Sequence, residues 1–93
     1  MSPEEEFERA KRLLGGRISR RRLRMGLNQE NLAFLAGLDR SHMSSIETGK
    51  TEPGVWNLTR IAGVLGTTPS DLLRGIKWTP TDRVSDYLKN PDD

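Results

Sequence analysis

A cluster of small hydroxyl side chains lies near the middle of the sequence, where residues 39–50 read DRSHMSSIETGK. We call these hydroxyl residues, Ser41, Ser44, Ser45 and Thr48, the hydroxyl face. On a helix, they fall within an arc of about 100°, opposite Met43 and Ile46. Short hydroxyl side chains let a helix approach a surface closely, and they donate to and accept from base edges and phosphates. The pattern suits a helix that enters a major groove, and it equally suits a solvated surface.

The charge of the chain is unevenly distributed. Residues 1–8 carry four glutamates and no basic residue, and residues 82–93 carry four aspartates and two basic residues. Residues 9–81 hold 13 basic and 5 acidic residues, a net charge of +8, and 11 of the chain's 15 basic residues are arginine. The planar guanidinium suits phosphates and guanine edges. A basic centre between acidic ends favours a polyanionic partner, and the alternative is an ordinary solvated surface.

Composition excludes several classes of protein. A chain of 93 residues forms one small domain with a modest core. It has no cysteine and a single histidine, His42, so disulfides, thiol nucleophiles and zinc sites are not expected. No apolar run approaches the ~20 residues that cross a bilayer, and the start MSPEEEFER does not resemble a signal peptide. We therefore expect a cytoplasmic, nucleoid-associated protein without metal, cofactor, membrane contact or enzymatic activity.

Helical periodicity dominates the sequence and strand alternation is almost absent, which predicts an all-α fold. Ser2 and Pro3 are suited to begin a first helix, and apolar residues keep helical spacing from Phe7 to Ile18. Gly15 and Gly16 interrupt that stripe, and each costs about 1 kcal/mol relative to alanine inside a helix. The pattern leaves open whether the helix continues through them.

Capping residues predict the later helices. They are expected at residues 29–36 after the cap Asn28, at 40–47 after Asp39, at 55–65 after Gly54, and from 69 after Thr68 to a stop at Gly75. The helix over 55–65 should bury a stripe of Val55, Leu58, Ile61, Ala62 and Leu65. A short sixth helix is expected around Val84, Tyr87 and Leu88, ending before Pro91.

The segment from Arg17 to Leu73 resembles the helix-turn-helix family of the lambda repressor and Cro proteins, also called the xenobiotic-response-element family. The spacing that carries the resemblance belongs to Arg22, Gly26, Leu27, Gln29, Leu32, Ala33, Gly37, Ile46, Glu47, Gly49 and Pro53. It implies a compact five-helix DNA-binding bundle in which residues 29–36 brace the DNA backbone and residues 40–47 form the recognition helix. Residues 1–16 then form an N-terminal extension, residues 17–75 the DNA-binding domain, and residues 76–93 a C-terminal tail.

The resemblance also assigns roles to individual residues. The contacts with double-stranded DNA that it implies fall on Asn28 and Gln29 at the start of the bracing helix, on Arg40, Ser41, Ser44, Ser45 and Thr48 of the recognition helix, and on Lys50 and Thr51 in the following loop. It pairs Arg22 with Glu47, which we interpret as a structural ion pair because charges drawn toward a core must find a partner. Arg40 is the one long side chain on the groove side, so it is the candidate for a bidentate contact with guanine.

Two sets of apolar residues leave alternatives open. Phe34 and Leu35 are expected to pack under the N-terminal extension or the tail, and a dimer contact is the alternative. Trp78 and the tail either cover one end of the bundle or form a surface for self-association. A homodimer on a pseudo-palindromic operator is the expected form of a repressor of this family. The alternative is an antitoxin-type module that binds a second protein through the extension or the tail and also binds its own promoter.

Overall fold

A computed structural model describes residues 1–80 and 84–88, and this part of the chain folds into five α-helices with no β-strand. The helices span Pro3–Arg24 (α1), Gln29–Ala36 (α2), Arg40–Glu47 (α3), Val55–Val64 (α4) and Pro69–Leu72 (α5), followed by a 3-10 turn at Val84–Asp86. The predicted all-α fold class is confirmed. The predicted helix end at Pro91 lies outside the described residues.

One cluster of buried apolar side chains joins all five helices. Its members are Leu14, Ile18, Leu32, Ala33, Ala36, Met43, Ile46, Leu58, Ile61, Ala62, Leu65 and Leu72. The helical spacing of the apolar residues puts them on the inner side of each helix. Full burial of one large apolar side chain stabilises a fold by about 1.5–3 kcal/mol, so this cluster supplies most of the favourable free energy of folding.

α1 runs without interruption through Gly15 and Gly16, which answers the question that the sequence left open. A Cβ atom at position 15 would lie 2.4 Å from the carbonyl oxygen of Ile46 and 2.6 Å from that of Glu47. Glycine at this position therefore lets α1 cross directly against the backbone at the C-terminal end of α3. The boundary that we expected between residues 16 and 17 falls inside this continuous helix.

α3 begins after Asp39 and α4 after Gly54 as predicted, but two details of these helix starts differ from expectation. Val55 is 84% exposed, because it is the first residue of α4 and that turn projects beyond the core that Leu58 enters. Asp39 has the extended backbone of a capping residue, but its side chain accepts no hydrogen bond from α3. By contrast, the side chains of Ser2, Asn28 and Thr68 cap their helices as the sequence predicts.

The outer apolar residues do not pack as expected. Phe34 and Leu35 are 81% and 57% exposed, so neither the N-terminal extension nor the described part of the tail covers them. In place of a sixth α-helix, the described residues of the tail form only the 3-10 turn, and Val84, Tyr87 and Leu88 are exposed. One turn of helix presents too few apolar side chains to dock on the bundle.

Replacing Gly15 with alanine should destabilise the protein, although alanine is the better helix former. The added methyl would collide with two backbone carbonyls that belong to a packed helix, and overpacking of this kind costs about 1–3 kcal/mol. Thermal unfolding followed by circular dichroism measures the change.

Gly63→Ala is the matched control for this substitution. Gly63 also lies inside a helix, and a Cβ there would meet no atom within 4 Å, so this variant should gain up to about 1 kcal/mol. If Gly15→Ala is stabilised as much as Gly63→Ala, the close approach of α1 to α3 is not a constraint on the fold.

Candidate nucleic-acid interface

A tight turn fixes the angle between α2 and α3. Gly37 has a φ of 73°, a left-handed conformation that glycine adopts readily. The N–H of Leu38 donates to the carbonyl oxygen of Ala33 over 2.8 Å and closes the end of α2. α3 begins at Arg40, directly after this turn, so its direction relative to α2 is set by the turn geometry.

The start of α2 presents polar groups to solvent. The side chain of Asn28 accepts a hydrogen bond from the N–H of Asn31 at 2.7 Å, while the rest of this side chain is exposed. Gln29, the first residue of α2, is half-buried. Backbone N–H groups and the positive end of the helix dipole favour an anion at a helix N-terminus, so both predicted contact residues lie where a phosphate would be stabilised.

α3 has one buried side and one accessible side. Met43 and Ile46 are almost fully buried in the core, which fixes the rotation of the helix about its axis. On the opposite side, Arg40 and Ser41 are exposed, whereas Ser44 and Ser45 are half-buried. The side chains of these four polar residues make no hydrogen bond or ion pair within residues 1–80 and 84–88, so their polar groups are available to another molecule.

Thr48 differs from the three serines of the hydroxyl face. Its hydroxyl donates to the carbonyl oxygen of Ser44 over 2.8 Å, so its proton is engaged by the last turn of α3. The oxygen keeps lone pairs that accept hydrogen bonds. Thr48 therefore presents an acceptor to a partner, whereas the serine hydroxyls present donors as well.

The loop after α3 is held against the end of that helix. The carbonyl oxygen of Ser45 accepts hydrogen bonds from the N–H groups of Lys50, at 2.9 Å, and Thr51, at 3.3 Å. Gly49 has a φ of 76°, and a Cβ there would lie 2.8 Å from Cγ of Arg12, so α1 also packs against this loop. The Lys50 side chain is exposed beside the hydroxyl face, and Thr51 is half-buried.

Arg22 of α1 and Glu47 of α3 form a largely buried ion pair. The Arg22 Nε lies 2.9 Å from Glu47 Oε2, and its Nη2 lies 2.9 Å from Oε1, with side-chain exposures of 12% and 4%. The Arg22 Nη1 also donates to the carbonyl oxygen of Leu27 at 2.9 Å. One guanidinium thus joins α1, the loop before α2 and the end of α3 through a bidentate contact.

A second network of arginines, which sequence analysis did not single out, joins α1 to α5. The Arg17 Nη1 donates to the carbonyl oxygens of Leu72, at 2.9 Å, and Arg74, at 2.6 Å. Leu72 is the last residue of α5, whose carbonyl the short helix leaves without an internal partner, and Arg74 lies in the turn that follows. The sequence shows only a run of arginines. Every residue type has a backbone carbonyl, so the acceptors of Arg17 cannot be identified from the sequence.

Asp71 is the charged centre of this second network. Its carboxylate accepts hydrogen bonds from the Thr67 hydroxyl, at 2.7 Å, and from Arg74 Nη2, at 2.5 Å, and it pairs with Arg21. The Thr67 hydrogen bond and the positive charges of Arg21 and Arg74 outweigh the opposing effect of desolvation and lower the pKa of Asp71. The network stabilises the ionised carboxylate.

The described residues contain neither a metal-binding cluster nor a membrane-spanning helix. No group of three or more histidine, cysteine, aspartate or glutamate side chains in that part of the chain is arranged to hold a metal ion. No helix among residues 1–80 and 84–88 is long and apolar enough to cross a membrane.

Two short helices joined by a tight turn, the second with an accessible polar side, define a helix-turn-helix DNA-binding domain. The helix-turn-helix family model matches residues 18–72. The chain belongs to this family of DNA-binding transcriptional regulators. The predicted resemblance to lambda repressor-like proteins is confirmed.

Named relatives agree with this assignment. An uncharacterized HTH-type transcriptional regulator of Sinorhizobium fredii, y4dJ, is 33% identical over 74 residues, which cover 80% of this chain and 90% of that protein. The crystal structure of the restriction-modification controller protein C.AhdI from Aeromonas hydrophila matches with a TM-score of 0.64 and 38% identity, covering 66% of this chain and 92% of that chain. The DNA-binding domain of the P22 C2 repressor matches with a TM-score of 0.66 and 32% identity, covering 70% and 86%. These relatives are regulators, which confirms the prediction that the chain is not an enzyme.

Glu47→Ala should lower the free energy of unfolding by about 3 kcal/mol, because it leaves the Arg22 guanidinium largely buried without its carboxylate. For a domain of this size, that loss lowers Tm by roughly 12 °C or more. Calorimetry measures the change.

Glu52→Ala removes the same charge from an exposed position in the loop and serves as the control, with an expected change within about 0.5 kcal/mol. Equal melting temperatures for the two variants would show that the ion pair does not hold α3 in place.

The Asp71 network should make stability depend on pH in the acid range. Because folding lowers the pKa of Asp71, its contribution is present above the unfolded value of about 3.9 and is lost as pH falls through the lower folded value. Asp71→Asn should therefore reduce Tm at pH 7, and the difference from the wild type should shrink below about pH 4.

Asp39→Asn controls for removal of a carboxylate, because the Asp39 side chain is exposed and makes no cap hydrogen bond. A Tm difference between the wild type and Asp71→Asn that stays constant from pH 7 to pH 2.5 would contradict the proposed role of this carboxylate. Melting curves across the pH series give the measurement.

Proposed function

We propose that the chain is a sequence-specific transcriptional regulator that binds double-stranded DNA with α3 in the major groove, as a homodimer on a pseudo-palindromic operator. One observation carries the proposal. The accessible side of α3 combines Arg40 with the hydroxyl face, while Met43 and Ile46 anchor the opposite side in the core. A helix held this way can enter a groove without rotating about its axis.

The polar residues around α3 divide into two kinds of contact. Asn28 and Gln29 at the start of α2 precede the recognition helix along the chain, and Lys50 and Thr51 follow it. We assign both pairs to the DNA backbone. Such phosphate contacts orient a protein on DNA but carry no sequence information. Arg40 has the reach and the planar fork for a bidentate contact with guanine, and the serines suit short-range contacts with neighbouring bases.

Homodimerisation would match two copies of α3 to two half-sites about 34 Å apart. The described structure offers two apolar surfaces for it. One comprises Leu73 and the tail residues Trp78, Val84, Tyr87 and Leu88, all of which are exposed. The other comprises Phe34 and Leu35 on the outer side of α2. We favour the first, because four of its five residues lie in the C-terminal tail that we propose as a separate segment, residues 76–93.

A second candidate function is binding of another protein. A groove of about 390 Å³ lies between the N-terminal extension and the start of the tail, and its apolar lining includes Phe7, Ala10, Ile76 and Trp78. These are the two segments through which an antitoxin-type module would hold its partner. Copurification of a second protein in stoichiometric amount would favour this function over that of a regulator that acts alone.

Selection of bound sequences from a random pool of duplex DNA tests the main proposal. We expect an inverted repeat whose half-sites each contain a guanine that Arg40 recognises. Arg40→Ala should lose about 1–3 kcal/mol of discrimination at that base pair, roughly 5- to 150-fold, with a smaller effect at other positions.

Arg9→Ala, at an exposed position of α1, is the control and should retain the wild-type preference. A uniform loss of affinity for all sequences in Arg40→Ala would make Arg40 a phosphate contact. A pool without any enriched motif would contradict sequence-specific binding, and a single half-site together with a monomeric mass in light scattering would contradict the homodimer.

A further inference from the structure

An open cleft of about 360 Å³ lies between the C-terminal part of α1 and α5, and none of the residues assigned to DNA above lines it. Its charged lining consists of Arg17, Arg20, Arg21, Arg24, Arg74 and Asp71. Five guanidiniums face one carboxylate, so the charge of this lining is five minus one, or +4. We call this site the arginine cleft.

The arginines of the cleft differ in what they bind. Arg17 bonds to backbone carbonyls and Arg21 to the carboxylate of Asp71, so these two hold α1 and α5 together. Arg74 pairs locally with the same carboxylate, three residues before it in the chain. Arg20 and Arg24 make no hydrogen bond or ion pair with any residue in the described ranges 1–80 and 84–88, and both are exposed. Two guanidiniums are therefore free in a cleft that already carries a positive charge.

The two free guanidiniums, Arg20 and Arg24, contribute no internal contact to the isolated fold. Like charges on one helix face destabilise it, and the single carboxylate is already engaged by Thr67, Arg21 and Arg74. Basic residues are favourable in the last turn of a helix, but Arg20 lies before the last turn of α1 and gains little from the helix dipole. An anionic ligand would remove the repulsion.

The spacing of the α1 arginines suits a linear polyanion. Arg17, Arg20, Arg21 and Arg24 follow the i, i+3, i+4, i+7 pattern of one helix face and extend over roughly 10 Å at 1.5 Å per residue. One strand of DNA advances about 3.4 Å along the duplex axis per phosphate, so a helix aligned with that axis spans roughly three phosphates over that length. The planar fork of arginine binds phosphate oxygens in a bidentate manner.

We propose that the arginine cleft binds the phosphodiester backbone of duplex DNA outside the segment that α2 and α3 contact, with Arg20 and Arg24 as the phosphate ligands. The proposal rests on the proposed function, since it assigns a further stretch of the same duplex to this protein. Arg24 ends α1, and one short turn separates it from Asn28 and Gln29, which are assigned to the backbone at the start of α2. The cleft would add affinity without sequence preference.

The test uses the full chain and a fluorescent 40-base-pair duplex of arbitrary sequence. The dissociation constant is measured at several KCl concentrations for the wild type and for the double variant Arg20→Gln, Arg24→Gln. Loss of two phosphate contacts should reduce the steepness of log K against log salt by about 1.8. The double variant should melt at the same temperature as the wild type or higher, because the free protein loses repulsion.

The double variant Arg9→Gln, Lys77→Gln is the matched control. It removes two positive charges from exposed positions outside the arginine cleft, so it reports the general effect of net charge. Its salt dependence should equal that of the wild type. If both double variants reduce the slope equally, the effect belongs to overall charge and the cleft is not a binding site.

The remaining outcomes separate the two proposals. A wild-type protein that does not bind the duplex at low salt would overturn the proposed function and this inference with it. A wild-type protein that binds, with an unchanged slope in Arg20→Gln, Arg24→Gln, would overturn the inference alone. An unchanged slope with loss of the dimer in light scattering would also overturn it, and would assign the cleft to an acidic segment of a second copy.

Discussion

Removing the charges of Arg22 and Glu47 from water is costly, and the fold offsets that cost with a bidentate contact and a third bond to the Leu27 carbonyl. The pair determines where the end of α3 lies relative to α1. Because α3 has only eight residues and buries two large side chains, hydrophobic contacts alone would leave its tilt poorly defined. The orientation of the proposed recognition helix thus depends on an electrostatic contact that an apolar pair of similar size would not specify in the same way.

α1 provides the frame against which the other elements are fixed. Its glycine at position 15 admits the backbone of α3, its residue Arg12 packs against the loop at Gly49, and its arginines hold α5. The N-terminal extension and the first residues of the DNA-binding domain belong to this one continuous helix. This arrangement gives α1 two roles along its length: the middle positions α3, and the C-terminal part concentrates positive charge near the start of α2.

The sequence predicted the helices, the family and most of the core because these depend on local patterns. Caps at Asn28 and Thr68 and the left-handed Gly37 follow from residue type, and the burial of Leu58 and Ile61 follows from periodicity. Val55 was misplaced because periodicity shows which side of a helix is apolar but not where the core ends. The sequence shows Gly15 as an interruption of the apolar stripe, but it does not show that the backbone of α3 packs against this glycine. That contact, like the bonds of Arg17 to carbonyls near α5, joins residues far apart in the chain.

The polar side chains on the accessible side of α3 contribute almost nothing to the fold. Within the described part of the chain, only Thr48 bonds to the helix, while the side chains of Arg40, Ser41, Ser44 and Ser45 hold no internal partner. Exchange of exposed residues such as Arg40 and Ser41 usually changes stability by less than about 0.5 kcal/mol. Substitutions at these positions are therefore not removed by selection for a stable fold. A duplicated copy of this protein could consequently diverge in target preference faster than in structure.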